Sequence, residues 1–404
     1  MKLAIPGKPH LTYCTNIHPG ETWNEVRANL ARHVVAVQAR VAAGRRFGVG
    51  LRLSAAAAEA LTVPPVFADL ERFLADHEQY VFTINGFPYG AFHGTRVKEA
   101  VYEPDWRDDR RLAYTDRLAR LLATLLPADD GLYGSVSTVP GAFRPRARDA
   151  SDVAAIAERL LRHVATLVEL EAETGRSVRL ALEPEPWCVL ETVADAIAFF
   201  GAHLFSSDAV ARLASLTRLT HAESEQALHR HVGLCFDACH MAVEFADPAD
   251  ALAALAAAGI AIVKVQVSAG MAASFGAGAD EPTRAALAAF ADDVYLHQVV
   301  ERGSGGLRRF LDLPEALADA REAATPREWR VHFHVPLFRE ELGVLRSTQP
   351  WVAALLRLLA AQGYDGHLEV ETYTWDVLPE AYRGEPVDAA VARELAWTME
   401  QLGA

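Results

Sequence analysis

The chain has 404 residues, 51% of them hydrophobic and 23% charged, the balance of a soluble globular protein with a sizeable core. With 53 acidic against 39 basic side chains the formal net charge is −14, which argues against a nucleic-acid surface, where phosphate neutralisation needs clustered Lys and Arg. There is no apolar run of the roughly 18 residues a membrane span needs and no signal-type N-terminus, and Cys14, Cys188, Cys235 and Cys239 are too scattered for a disulfide framework, so the expectation is a cytoplasmic chain with reduced thiols and no membrane insertion.

Residues 11–18 read as a first strand, followed by Pro-Gly and a helix over about 23–43 with Val26, Leu30, Val34, Val37 and Val41 at helical spacing. A second strand, 47–53, runs to Ser54, a helix N-cap, and helices continue to about 77 around Pro64 and Pro65. The third strand, 80–85, empties into a Gly-rich aromatic loop, 86–94, which is too apolar for a plain connector and is of the kind that lines a pocket. A helix over about 109–126 leads to a fourth strand at 132–139, and another over about 151–174, closed by Gly175, leads to a fifth. The fifth strand starts at Val178 and ends in Glu183-Pro184-Glu185-Pro186. Residues two apart on a strand point the same way, and the prolines stop the backbone continuing as helix, so both carboxylates emerge together at the strand end.

Helical material then fills about 192–230, more than one crossover needs. A sixth strand starts at Val232 and ends in Asp237 and His240, a helix covers about 248–258, and a seventh strand-like run spans 260–268. There the rhythm falters into a Gly/Ala-rich stretch, 269–280, a helix, and a hairpin of 294–302 with 306–313. A strand at 329–336, a helix over about 350–362 and a last strand at 366–375, carrying Glu369 and Glu371, complete the chain.

Nine strand-like runs alternating with helices predict an α/β protein, a (β/α)8 barrel. It would occupy 1–404 as one domain, with an insertion over about 269–325 and one run left outside the barrel. No strand is followed by Gly-x-Gly-x-x-Gly, so an open nucleotide-binding sheet would lack its phosphate cradle. Active groups of such a barrel gather at the carboxyl ends of its strands, where His18, Asn85, His93, Glu183, Glu185, Asp237, His240, Gln266, His332, His334, Glu369 and Glu371 fall. Several carboxylates converging in a mostly apolar pocket repel one another unless a cation holds them. Oxygen ligands suit Mg²⁺ or Mn²⁺, with Co²⁺, Fe²⁺ or Zn²⁺ entering where an imidazole joins.

The Leu-Glu183-Pro-Glu-Pro stretch, Phe-Asp237-Ala-Cys-His240 and the last-strand Leu-Glu-Val-Glu371 resemble the xylose isomerase-like TIM barrels, which include sugar isomerases and epimerases. Thr-Ile-Asn85-Gly-Phe-Pro-Tyr-Gly, Val-His-Phe-His334-Val-Pro and Glu371-Thr-Tyr-Thr-Trp-Asp-Val-Leu-Pro resemble more narrowly the EboE family of metabolite traffic proteins. The first resemblance implies metal ligands at Glu183, Asp237 and Glu371, and a fourth from strand seven. Two positions compete for that place: His334, favoured because the helix after it leads into the glutamate strand, and Gln266. It further implies proton transfer through an enediolate by Glu183 and Glu371, with His240 facing the substrate and Glu185, Gln266, His93 and His18 around it. Glu185 stands where xylose isomerases have a carbonyl-polarising Lys, which disfavours a hydride-shift isomerase. The second resemblance implies the alternative, a non-catalytic protein that hands a precursor to a protein partner of a metabolite-export system.

Overall fold

The structure, a computed structural model, describes residues 1–94, 96–128, 131–276, 280–319 and 326–404. Eight strands form one parallel sheet: β1 (His10–Tyr13), β2 (Phe47–Arg52), β3 (Gln79–Asn85), β4 (Gly134–Thr138), β5 (Val178–Leu182), β6 (Val232–Asp237), β7 (Ile262–Val267) and, after six strands that belong elsewhere, His367–Val370. The six are β8 (Ala269–Phe275), β9 (Val299–Gly303), β10 (Gly306–Phe310), β11 (Arg327–Val335), β12 (Glu341–Leu342) and β13 (Leu345–Ser347), which makes His367–Val370 strand β14.

Strand order in the parallel sheet is β1-β14-β7-β6-β5-β4-β3-β2. Its ends meet: Cys14 bridges Gly50 in parallel, and the Thr12 hydroxyl donates to Gly48 O (2.7 Å) while accepting from Gly50 N (3.0 Å). A side chain thus supplies the seam bonds, and the sheet closes as a (β/α)8 barrel. The strands are buried almost throughout, as apolar parallel strands covered on the outside by helices must be. Lys264 and Glu369 pair inside it at 2.6 Å, both fully buried.

The helices form where the sequence signals them. Ser54 accepts from Ala57 N (3.0 Å) to start Ala55–Ala60, and Asp149 caps Ala150–Thr174, which ends at Gly175 with φ 66°. The 192–230 region is three helical segments, Val193–Leu204, Ser207–Leu216 and His221–His231. Among the described residues no single helix is long and apolar enough to cross a membrane.

The inserted segment departs from expectation. The part left outside the barrel is an antiparallel sheet, order β10-β9-β11-β8-β13-β12, built between β7 and β14. The 269–280 stretch, read as irregular, forms β8 next to β11; residues 277–279 lie outside the described ones. Its small side chains suit a crowded place, since a Cβ on Gly270 would sit 3.0 Å from both Cys239 Sγ and Val331 O. The surplus run is therefore β11. Trp329, Val331, Phe333 and Val335 pack into the apolar core, while His332 and His334 alternate onto the opposite face. That face turns toward the barrel mouth.

Candidate active site

Three strand ends deliver the central carboxylates. Glu183 N donates to Thr138 O (3.2 Å) and Glu371 N to Val267 O (3.1 Å), so each acid sits on the rung that follows its strand. Asp237 ends β6 and caps helix Ala238–Val243: its Oδ1 accepts from His240 N (3.0 Å) and from Ser268 Oγ (2.8 Å). Glu183, Asp237 and Glu371 each offer a carboxylate oxygen within 4.8 Å of the others, all buried. Glu371 is oriented by two amides, Asn16 Nδ2 (2.7 Å) and Asn85 Nδ2 (2.9 Å), both donating to Oε1.

Burial, followed by repulsion from Glu371 and Asp237, pushes the Glu183 carboxyl well above the ordinary range; burial and then Asp237 do the same to Glu371. Such crowding is relieved by a proton or by a cation. Glu183 Oε2, Asp237 Oδ2, both amide atoms of Gln266 and Nε2 of His334 are buried without a hydrogen-bond partner among the described residues. Buried polar atoms normally have partners, and these belong to the ligand set the sequence proposes. The donor set therefore fits a divalent cation.

The fold separates the two positions offered for strand seven. Gln266 occupies the barrel strand, in register with Asp237 on one side and Glu369 on the other, so it shares their inward face. His334 belongs to β11 in the second sheet, because the helix leading into the last strand is entered from that sheet and not from a barrel strand. It still arrives at the centre, with a ligand atom within 4.8 Å of those of Asp237 and His240.

Above the carboxylates lies a cavity of about 530 Å³ free of protein atoms, part of it open to solvent. Its polar lining is Asn16, Asn85, Lys98, Glu183, Glu185, His240, His332 and Glu371; its aromatic lining is Phe87, Phe92, Tyr102, Tyr295 and Tyr373. The 86–94 loop thus forms wall, as its composition implies. Glu185 accepts from Tyr102 Oη (2.8 Å), and burial pushes its carboxyl up to about 7.

The other positions expected near substrate separate. His240 lines the cavity, yet its Nδ1 is 2.8 Å from Pro184 O and its Nε2 is 3.1 Å from His332 Nε2, so it faces another imidazole instead of standing free. Gln266 lies behind the lining. His93 does not reach the cavity: Nε2 donates to Asn16 O (2.5 Å) and Nδ1 meets Tyr295 Oη at 3.1 Å, which supports the turn that carries Asn16. His18 is farther off the path, bonded to Tyr13 Oη (3.0 Å) and stacked on His33 at 4.2 Å. Strand ends alone do not lead to Asn16, Tyr102, Gln298 or Tyr373, which come from turns and loops. Only Asn16 carries a local signal, its place in the short turn Thr15–Ile17 directly after β1.

Neither a family model nor a curated protein matches the chain. Among solved structures it is similar to a xylose isomerase domain protein from Alicyclobacillus acidocaldarius, with 15% identity, 98% of each chain covered and a TM-score of 0.46. It is also similar to a xylose isomerase-like TIM barrel protein from Mycobacterium smegmatis in complex with magnesium (13%, 99% of this chain and 97% of that one, TM-score 0.45) and to a D-tagatose 3-epimerase-like protein (12%, 98% of each, TM-score 0.49). At these scores the barrel assignment stands on the strand order itself. The narrower resemblance to the EboE family gains no support from these comparisons.

Proposed function

We propose that the protein is a divalent-metal-dependent enzyme of isomerase or epimerase type acting on a small polyhydroxylated or α-hydroxycarbonyl metabolite. The observation that carries this is the convergence of Glu183, Asp237 and Glu371 within 4.8 Å at the carboxyl end of the barrel. Glu183, Asp237 and Glu371 would hold the ion, with the unpartnered amide of Gln266 in the strand-seven place. When bound, a divalent ion supplies Lewis-acid polarisation of substrate oxygens. Glu183 and Glu371 remove and return a carbon-bound proton as general base and acid, giving an enediolate between the two transfers. Asn16 and Asn85 hold Glu371 in place for that exchange. Glu185, bonded to Tyr102, meets substrate hydroxyls in the cavity, and the aromatic walls pack against the apolar face of the substrate.

The aromatic lining also supports a second reading, a non-catalytic traffic protein that shelters a hydrophobic precursor and passes it to an export partner. Incubation of metal-supplied protein with ketoses, hydroxypyruvate and inositol-type ketones in D2O separates the two. An isomerase or epimerase incorporates deuterium at carbon, and Glu183→Gln or Glu371→Gln lowers the rate by about 10²-fold or more. A protein that binds a ligand of the panel without exchanging any proton is a carrier.

A further inference from the structure

The cavity above the carboxylates has a polar floor and an apolar roof, and they come from different parts of the chain. Strand ends and the Thr15–Ile17 turn supply the floor, where Asn16 Oδ1 and Glu183 Oε2 are buried without a hydrogen-bond partner among the described residues. The roof is built beyond the strand ends. Phe92 comes from the 86–94 loop, Tyr295 from the inserted segment ahead of β9 and Tyr373 from the turn after β14. Their ring centroids stand 5.2 Å apart for Phe92–Tyr295 and Phe92–Tyr373 and 5.1 Å apart for Tyr295–Tyr373. With Val97 and Val101 they pack as a cluster separate from the main core, and Leu296 and Phe87 extend the apolar lining.

The polar side-chain atoms of the roof are already engaged. Tyr295 Oη donates to Phe92 O (2.9 Å) and meets His93 Nδ1 (3.1 Å). Tyr102 Oη donates to Glu185 Oε1 (2.8 Å) and accepts from Gln298 Nε2 (3.0 Å). Lys98 is the only Lys or Arg in the lining, and its ammonium faces three acceptors: Tyr295 O (2.7 Å), Asp312 Oδ2 (2.7 Å) and Asp292 O (3.0 Å). An ammonium has three donors, so none is left for a ligand. Tyr373 Oη is held more loosely, and it turns to His332 Nε2 on the floor (3.5 Å). A hydroxyl brought against this roof loses its water and finds no new partner. A phosphate or carboxylate there meets a lysine already paired, with Glu183, Glu185 and Glu371 in the same cavity. An aromatic ring gains instead, by burying apolar area and by edge contacts with the three rings.

We infer that the molecule this cavity takes is an uncharged, aryl-substituted hydroxyketone: a short hydroxycarbonyl head on the floor, joined to an aromatic ring lodged against Phe92, Tyr295, Tyr373 and Leu296. The head rests on the isomerase or epimerase reading; the ring rests on the roof alone. Free sugars, which carry a hydroxyl at every carbon beyond the reacting pair, and sugar phosphates are then poor ligands. Tyr295 and Leu296 belong to the inserted segment, so the insertion sets the specificity of a centre whose acids the barrel provides.

The test uses the whole chain supplied with Mn²⁺ and two ketones that share a head: hydroxymethyl benzyl ketone, which carries the ring, and erythrulose, which carries hydroxyls in its place. Dihydroxyacetone phosphate stands for a charged tail. Calorimetric titration gives the affinities, and deuterium uptake at carbon in D2O, beyond the protein-free rate, gives the exchange. The benzyl ketone is expected to bind about 10-fold or more tighter than erythrulose, and the phosphate more weakly than either. Leu296→Asn, which puts an amide into the roof, should bring the two ketones within about threefold of each other. A preference that this variant leaves unchanged removes the ring from the roof and overturns the inference. Equal or reversed affinities in wild type, tighter binding of the phosphate, or binding of none of the three overturns it as well, even where erythrulose exchanges its proton and so sustains the isomerase reading. Tight binding of the benzyl ketone without deuterium uptake separates the two the other way: the ring pocket stands and the isomerase reading falls. If circular dichroism shows that Leu296→Asn does not fold, the wild-type comparison decides alone.

Discussion

Glu394 shows how much a single buried acid reports. It sits in helix Val387–Leu402, and its Oε1 accepts from Thr372 Oγ1 (2.6 Å) and Leu337 N (3.0 Å), tying the last helix to the residue after Glu371. Burial pushes its carboxyl up to about 7. The folded chain thus holds a proton there that the unfolded chain, with Glu near 4.3, gives up earlier. The stabilisation is complete below about pH 4 and is lost as pH rises through about 7, with a ceiling of about 4 kcal/mol. Glu394→Gln keeps both accepted bonds and is predicted to flatten this slope, gaining on wild type between about pH 5 and about pH 8 in denaturant unfolding. Parallel slopes for the two proteins would exclude this role. Glu394 is not legible in the sequence, because nothing local marks a helical Glu as buried. Glu183, Asp237 and Glu371 are legible, because strand ends announce themselves by apolar runs that stop in acids.

At the scale of elements, the β1–β2 seam has the least backbone pairing in the barrel and depends on Thr12 and Gly50. A Cβ on Gly50 would lie 2.1 Å from Glu369 Oε1 and 2.5 Å from Tyr13 O. Tyr13 O is backbone and cannot swing aside. Gly50→Ala is therefore predicted to destabilise by about 3 kcal/mol, read as a lower denaturation midpoint with unchanged m-value; a loss under about 0.5 kcal/mol would show that the seam yields freely. Barrel strands were readable from apolar runs, and β11 from its alternation of histidine with apolar residues. Its sheet was not readable. Period two fixes which residues share a face, but a polar face looks the same in sequence whether it meets water or a neighbouring barrel mouth. β8, Ala-Gly-Met-Ala-Ala-Ser-Phe with no β-branched residue, gives almost no strand signal, and its identity depends on Val331 and Cys239 beside it.

For the whole molecule, the barrel supplies the three converging acids and His240, and the inserted sheet brings His332 and His334 beside them. The alternation of strand and helix carried the architecture in the sequence. The meeting of two sheets at Asp237 did not show there, because it depends on contacts between segments nearly a hundred residues apart. The buried acids at the barrel mouth and the imidazoles beside them could hold a divalent metal. An ion that binds only the folded chain stabilises it, by about 4 kcal/mol when free ion reaches about a thousand times its Kd. The direct measurement is the thermal midpoint of chelator-stripped protein with and without Mg²⁺, Mn²⁺, Co²⁺ or Zn²⁺. A rise of about 5 °C is expected with at least one of them, reduced in the Glu183→Gln/Glu371→Gln variant. A midpoint that no ion moves by more than about 1 °C would contradict it.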